Sequence, residues 1–168
     1  PYSNSYDWVF TTGTEFDFTP PRVISVRPLE GTTNPMNSVI QINFSEAGNP
    51  STVTGNEDGT GSFSHILASY PGLGGTLITG EYKISNQYRT VELETTDLCG
   101  MNSCGGPVYC LPGGENIGTR VMQTVKDMAD NNLDRDGDGT GGENPEDWYE
   151  WLFNTNNVCF RFSARRIL

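Results

Sequence analysis

Apolar and polar residues alternate in short runs along most of the chain, and glycine, proline and asparagine separate the runs. A period of two puts every second side chain on one face, which is the pattern of a half-buried strand. Residues 6–12 (YDWVFTT) open the series. Residues 22–27 (RVISVR) form the next run, closed by Pro28, which has no N–H to offer a ladder. Residues 39–44 (VIQINF) alternate cleanly, with Val39, Ile40, Ile42 and Phe44 as core candidates. A short strand is expected at 52–54 within the polar stretch 49–62, and another at 63–70 (FSHILASY). Residues 76–84 and 89–94 read as a hairpin with Ser85, Asn86 and Gln87 at or near its turn. Residues 117–125 (IGTRVMQTV) and 149–153 (YEWLF) complete the set. About eight short strands with turns between them predict an all-β fold, a β-sandwich.

Composition agrees. The 168 residues include 20 Gly and 10 Pro, enough chain for one domain with a real core and enough turn formers for many short strands. A net charge of −11 argues against nucleic acid, whose phosphates require clustered Lys and Arg, and against anionic membranes. No stretch approaches eighteen apolar residues, so no membrane insertion is expected. No secretory leader is recognised, and a start at Pro1 is expected of a processed form or a fragment.

The charge is concentrated. From Asp127 to Glu150 there are nine acids and one base, Arg135, a local charge of −8. Such a stretch repels itself unless a cation sits in it. Its spacing suits calcium, a hard ion that takes six to eight oxygens. Asn132, Asp134 and Asp136 alternate, Gly137 follows as the turn, and Glu143 stands at position twelve of a loop that begins at Asn132. Asp130 and Asp138 are further candidate ligands. A rival register begins at Asp134 with Gly139 as its turn, but it places Pro145 at the closing position; the first is preferred. Neither flank is a convincing amphipathic helix, so an EF-hand proper is rejected and the loop is expected to join two strands.

Four cysteines, Cys99, Cys104, Cys110 and Cys159, form no C-x-x-C pair, and the lone His65 is far away, so zinc is disfavoured. An even count in an acidic, Gly-rich β sequence predicts two disulfides and an oxidising compartment. Three pairings are open; the spacing inclines to Cys99–Cys104 as a local staple, with Cys110–Cys159 tying down the last strand.

One element occurs twice. Tyr6, Trp8, Phe10 and Thr12 recur as Tyr149, Trp151, Phe153 and Thr155. After one inserted residue, Phe16, Phe18, Arg22 and Val23 recur as Phe160, Phe162, Arg166 and Ile167. A single sandwich has one slot for its last strand. Residues 1–19 are therefore expected to be the last strand of a preceding module plus a linker, 20–157 a complete sandwich, and 158–168 a linker and the start of a following module.

At this point the residues resemble a family. PPRVISVRP, an alternating strand and Phe44-Ser45-Glu46 resemble the opening of bacterial Ig-like domains of the SbsA type. Val125-Lys126-Asp127 with Asp130-Asn131, then Phe153 and Thr155, resemble that family's ending, except that Asp130 stands where the family has glycine. The resemblance covers both ends of the domain. It implies an Ig-like β-sandwich of about seven to eight short antiparallel strands with long loops, repeated in tandem on secreted or cell-surface prokaryotic proteins as spacers or adhesive stalks.

Catalysis finds little support. His65 has no partner in its strand pattern, the carboxylates have calcium spacing, and GLGG at 72–75 lacks the helix and lysine of a phosphate loop. The expectation is no enzyme but a calcium-stabilised, disulfide-stapled module of an extracellular fibre, stalk or cell-surface adhesive protein, partnered end to end by similar modules. Two alternatives remain: a module that binds surface glycans through Trp148, Tyr149 and Trp151 beside the loop, and a subunit that polymerises by strand addition.

Overall fold

The computed structural model describes residues 9–159. Two five-stranded sheets enclose one apolar core. The first sheet contains β1 (Val23–Arg27), β3 (Ile40–Phe44), β4 (Gly55–Glu57), β7 (Gly80–Ser85) and β8 (Thr90–Thr95), in the order β1-β3-β8-β7-β4. The second contains β2 (Thr33–Pro35), β5 (Ile66–Tyr70), β6 (Thr76–Leu77), β11 (Asn116–Val121) and β12 (Tyr149–Asn156), in the order β2-β12-β11-β5-β6. A separate hairpin joins β9 (Leu98–Met101) to β10 (Pro107–Tyr109). The all-β sandwich expected from the alternation is the fold observed.

The inward positions are those that the period of two marks. Ile40, Ile42 and Phe44 of β3 meet Val91 and Leu93 of β8 and Tyr82 of β7 on one side. Ile66, Ala68, Ile117, Val121, Trp151 and Phe153 face them from the other. Each fully buried large side chain of this kind contributes about 1.5–3 kcal/mol relative to exposure.

Several expectations are corrected. Val39 is half exposed and precedes β3, because the inward phase belongs to Ile40, Ile42 and Phe44. Residues 52–54 are no strand: α1 (Pro50–Val53) is one helical turn, started by Pro50 and capped by Asn49, whose side chain accepts from the Ser51 N–H. The expected strand 76–84 is broken at 78–79, although Ile78 stays buried. The strand at 117–125 ends at Val121; Val125 leaves the sheet yet remains in the core. β2 and the β9–β10 hairpin lack apolar alternation and were not expected. β2 also departs from the antiparallel rule: it runs parallel to β12, because Pro28 ends β1 and the turn at Gly31 carries the chain onward in the same direction to the other sheet.

Residues 1–8 and 160–168, which hold Tyr6 and Trp8 of the first repeated segment and Phe160, Phe162, Arg166 and Ile167 of the second, lie outside the described residues. Residues 9–12 form no strand, and Phe10, Phe16 and Phe18 are exposed, whereas Trp151, Phe153 and Thr155 of the second copy are buried in β12. Among the described residues no helix is long and apolar enough to cross a membrane.

Candidate metal centre

The acidic stretch joins β11 to β12, two strands as expected, and lies at the end of the sandwich where β12 begins. Leu133, fully buried, pins the loop into the core, and its N–H donates to the Val125 carbonyl at 2.8 Å. Around that anchor the carboxylates fold the backbone. The Asp134 carboxylate accepts from the N–H groups of Gly137 and Gly139, both residues with positive φ, where glycine carries no penalty. Asp147 accepts from the Arg135 and Glu143 N–H groups, each at 2.8 Å. Asp134 and Asp147 are buried; Asp136, Asp138 and Glu143 are exposed.

These turns gather the acids. Oxygens of Asp134, Asp136 and Asp138 lie within 4.8 Å of one another, and so do those of Asp136, Glu143 and Asp147. Asp136 belongs to both groups. The converging alternate acids therefore begin at Asp134, the spacing of the register set aside. Beside Glu143, the closing carboxylate of the preferred register, the fold places Asp147, two residues beyond Pro145, so a slightly longer loop also removes the objection to the rival register. Asp147 was missed because a fixed twelve-residue template stops short of it. Asn132 pairs through its backbone with Lys126, and its side chain packs against Gly142, where a Cβ would stand 2.5 Å from the amide nitrogen. Asp130 is exposed and bonds Lys126 at 2.8 Å rather than joining either group. The negative field of Asp138 first, then burial and the charges of Asp147, Asp136 and Glu146, holds the Glu143 carboxyl above its usual range.

The loop also grips the incoming chain. The Asp134 N–H donates to the Pro21 carbonyl at 3.0 Å, and the Asn131 amide donates to the carbonyls of Asp17 and Thr19. The Arg22 guanidinium reaches the Arg135 carbonyl and packs over Gly137. Asn131 is in turn held by Asp127, a buried carboxylate that accepts from the Ala129 and Asn131 N–H groups and from the Asn131 amide. Oxygens of Asp17, Glu46 and Asp127 form a further group within 4.8 Å. Burial first, then Asp127 and Asp17, raises the Glu46 pKa, and Arg89 opposes them.

The aromatics beside the loop are occupied. Trp151 and Phe153 are buried, and Tyr149 packs edge-on against Trp151 with ring centroids 5.9 Å apart. Trp148 is half-buried, its Nε1 donates to Gln123 Oε1, and the Arg120 guanidinium covers its ring at 4.4 Å while pairing with Glu150. His65 Nδ1 lies 2.9 Å from Thr124 Oγ1.

The opposite pole, where β12 ends, carries the cysteines. The disulfide joins Cys99 to Cys110 across the β9–β10 hairpin, not Cys99 to Cys104. The reason is register: the strand partners bring positions 99 and 110 together with Cα atoms 5.7 Å apart, while Cys104 sits exposed in the hairpin's loop. Cys159 is free, its Sγ 3.8 Å from that of Cys110.

A family model described as a bacterial Ig-like domain matches residues 17–102, just over half of the chain. The chain belongs to this family. Two solved structures resemble the Ig-like fold described here: the S-layer protein rSbsC(31-844), at 14% identity and a TM-score of 0.46, and surface layer protein SbsC, domains 1-6, at 15% identity and 0.46. In each case 83% of this chain is covered and 14% of the S-layer chain, so the chain spans about one seventh of those structures. No curated protein matches. In this Ig-like domain the Phe-Ser-Glu and Val-Lys-Asp motifs meet at one pole: the Ser45 hydroxyl accepts from the Arg22 N–H at 2.9 Å, and Asp127 organises the turn beside Glu46. Thr155, of the closing motif, sits at the other pole, where its hydroxyl donates to the Pro112 carbonyl and accepts from the Glu115 N–H.

Proposed function

We propose that this Ig-like domain is a structural module of an extracellular or cell-surface protein, joined end to end with similar modules, and that calcium in the acidic loop stiffens its leading joint. One observation carries the reading. The loop that gathers Asp134, Asp136, Asp138, Glu143 and Asp147 is the same loop that bonds the incoming residues 17–22. The donor set fits the ion: five carboxylates and no soft ligand suit a hard cation of high coordination number better than zinc. Four of the five, Asp134, Asp136, Asp138 and Asp147, already accept backbone N–H groups, which lowers the entropy lost on binding. The ion would neutralise a repulsion that otherwise opposes this loop geometry. Residues 17–22 would then leave the module at a fixed angle.

The aromatics support a structural role over glycan binding. A sugar platform needs an open ring face, and Trp148 lies under Arg120.

Thermal melting of the full chain in calcium and in chelator tests the reading. Calcium is expected to raise Tm, with about 2.7 kcal/mol of stabilisation at a hundredfold excess over Kd. Asp136→Asn, at the residue shared by both groups, should remove most of the increment, and magnesium should reproduce it poorly. A melting curve indifferent to calcium would sink the idea.

A further inference from the structure

We propose that the cysteines at the trailing pole form a disulfide-exchange site, in which Cys159 takes Cys110 from Cys99 and so locks the end of β12 to the hairpin. Exchange requires a thiolate within reach of one disulfide sulfur and a leaving sulfur that is accommodated once released. Both conditions are met. Cys159 Sγ is 3.8 Å from Cys110 Sγ, and the sulfurs of Cys99, Cys110 and Cys159 lie within 4.8 Å of one another. The Cys99 sulfur has the Val108 carbonyl 3.2 Å away, ready to accept an S–H. Cys159 is held in place by its neighbours: the Val158 carbonyl accepts from Met36 N–H, and the Val158 N–H donates to Asn156 Oδ1.

The step balances without an outside reagent. Cys159 loses its proton, its sulfur forms a bond to Cys110, and the Cys110–Cys99 bond breaks with its electron pair leaving on Cys99, which takes up a proton. One disulfide and two thiols precede the step and follow it. The released Cys99 then shares the hairpin with exposed Cys104. Joining those two removes two electrons and two protons and needs a disulfide oxidant, such as oxidised glutathione, which leaves as two thiols. The covalent tie thereby moves from residues 11 apart to residues 49 apart.

Trypsin reads the transfer directly. Cleavage after Arg89, Arg120, Arg135 and Arg161 puts Cys99, Cys104 and Cys110 in peptide 90–120 and Cys159 in peptide 136–161. The full chain would be equilibrated in a glutathione redox buffer at pH 8, quenched with acid, alkylated with N-ethylmaleimide and digested without reduction. The expected result is that most molecules carry the two peptides joined. The Cys99→Ser/Cys104→Ser double variant should still join them, and Cys104→Ser alone should join them with Cys99 alkylated. A bond confined to peptide 90–120 in the wild-type chain, with Cys159 alkylated there and in both variants, would overturn the proposal.

Discussion

At the scale of single residues, Asp130 shows what a motif departure costs. It occupies the place of the family's glycine and keeps the glycine's backbone, with φ of 74°. An L side chain is strained there, and Asp is among the residues that tolerate it best. Its exposed ion pair with Lys126 adds at most about 1 kcal/mol. Asp130→Gly is therefore expected to leave stability within about 1 kcal/mol of the parent. Asp130→Val, β-branched at a positive φ, should cost about 1–3 kcal/mol in urea unfolding. Equal midpoints for the two variants would contradict the strain. The departure was legible in the sequence as a missing glycine, but whether the turn or the residue would yield was not. That outcome is set by Asp127, whose buried carboxylate collects three donors and leaves the turn no other shape.

At the scale of elements, legibility follows the source of each element's stability. β3 buries one face completely and β8 and β12 bury most of one, so alternation announces them. β2 (Thr-Asn-Pro) and the β9–β10 hairpin bury almost nothing by their own side chains. They exist because a neighbour offers hydrogen bonds or because a disulfide closes them, and neither cause leaves a period of two. Residues 50–53 failed for the opposite reason: local capping by Asn49 outweighed weak strand preference. The acidic loop was legible as a convergence of carboxylates by type and position, while the place of Asp147 in it depended on how many residues the loop spends before returning. Backbone approach is also invisible in sequence. Gly118 of β11 lies beneath the turn after β5, and a Cβ there would stand 2.5 Å from the Leu73 nitrogen and 2.7 Å from the Gly72 carbonyl carbon. Backbone cannot rotate aside as a side chain can. Gly118→Ala should therefore destabilise by about 1–3 kcal/mol despite its better intrinsic propensity; a stabilised variant, scored by thermal melting, would refute that close approach.

At the scale of the whole molecule, the two chemistries divide between the poles. The acidic loop holds the chain as it comes in, and the cysteines sit where it goes out. The loop lies just ahead of β12 in sequence, and because β12 starts at the pole where β1 also starts, the loop touches the incoming chain. Calcium and disulfide should therefore act additively, being far apart and sharing no residues. Moving the crosslink from an 11- to a 49-residue separation would restrict the unfolded chain further, by about 1 kcal/mol in the loop-entropy picture.

The parallel pairing of β2 with β12 has a mechanical consequence. Residues 17–22 come in at one pole and Asn156 to Cys159 go out at the other, so tension applied between the two ends would draw β2 backward and β12 forward along each other. Their cross-strand bonds, from Gly31 N–H to Leu152 O, Asn154 N–H to Thr32 O and Met36 N–H to Val158 O, lie across the line of pull. Bonds loaded in shear must fail together, whereas a hairpin pulled open from one end gives way a rung at a time. Stretched between its ends in a force spectrometer, the chain should break in one high-force event, and Met36→Pro, which deletes one rung, should lower that force. What holds two sheet edges together in a resting module thus acts under load as a clamp.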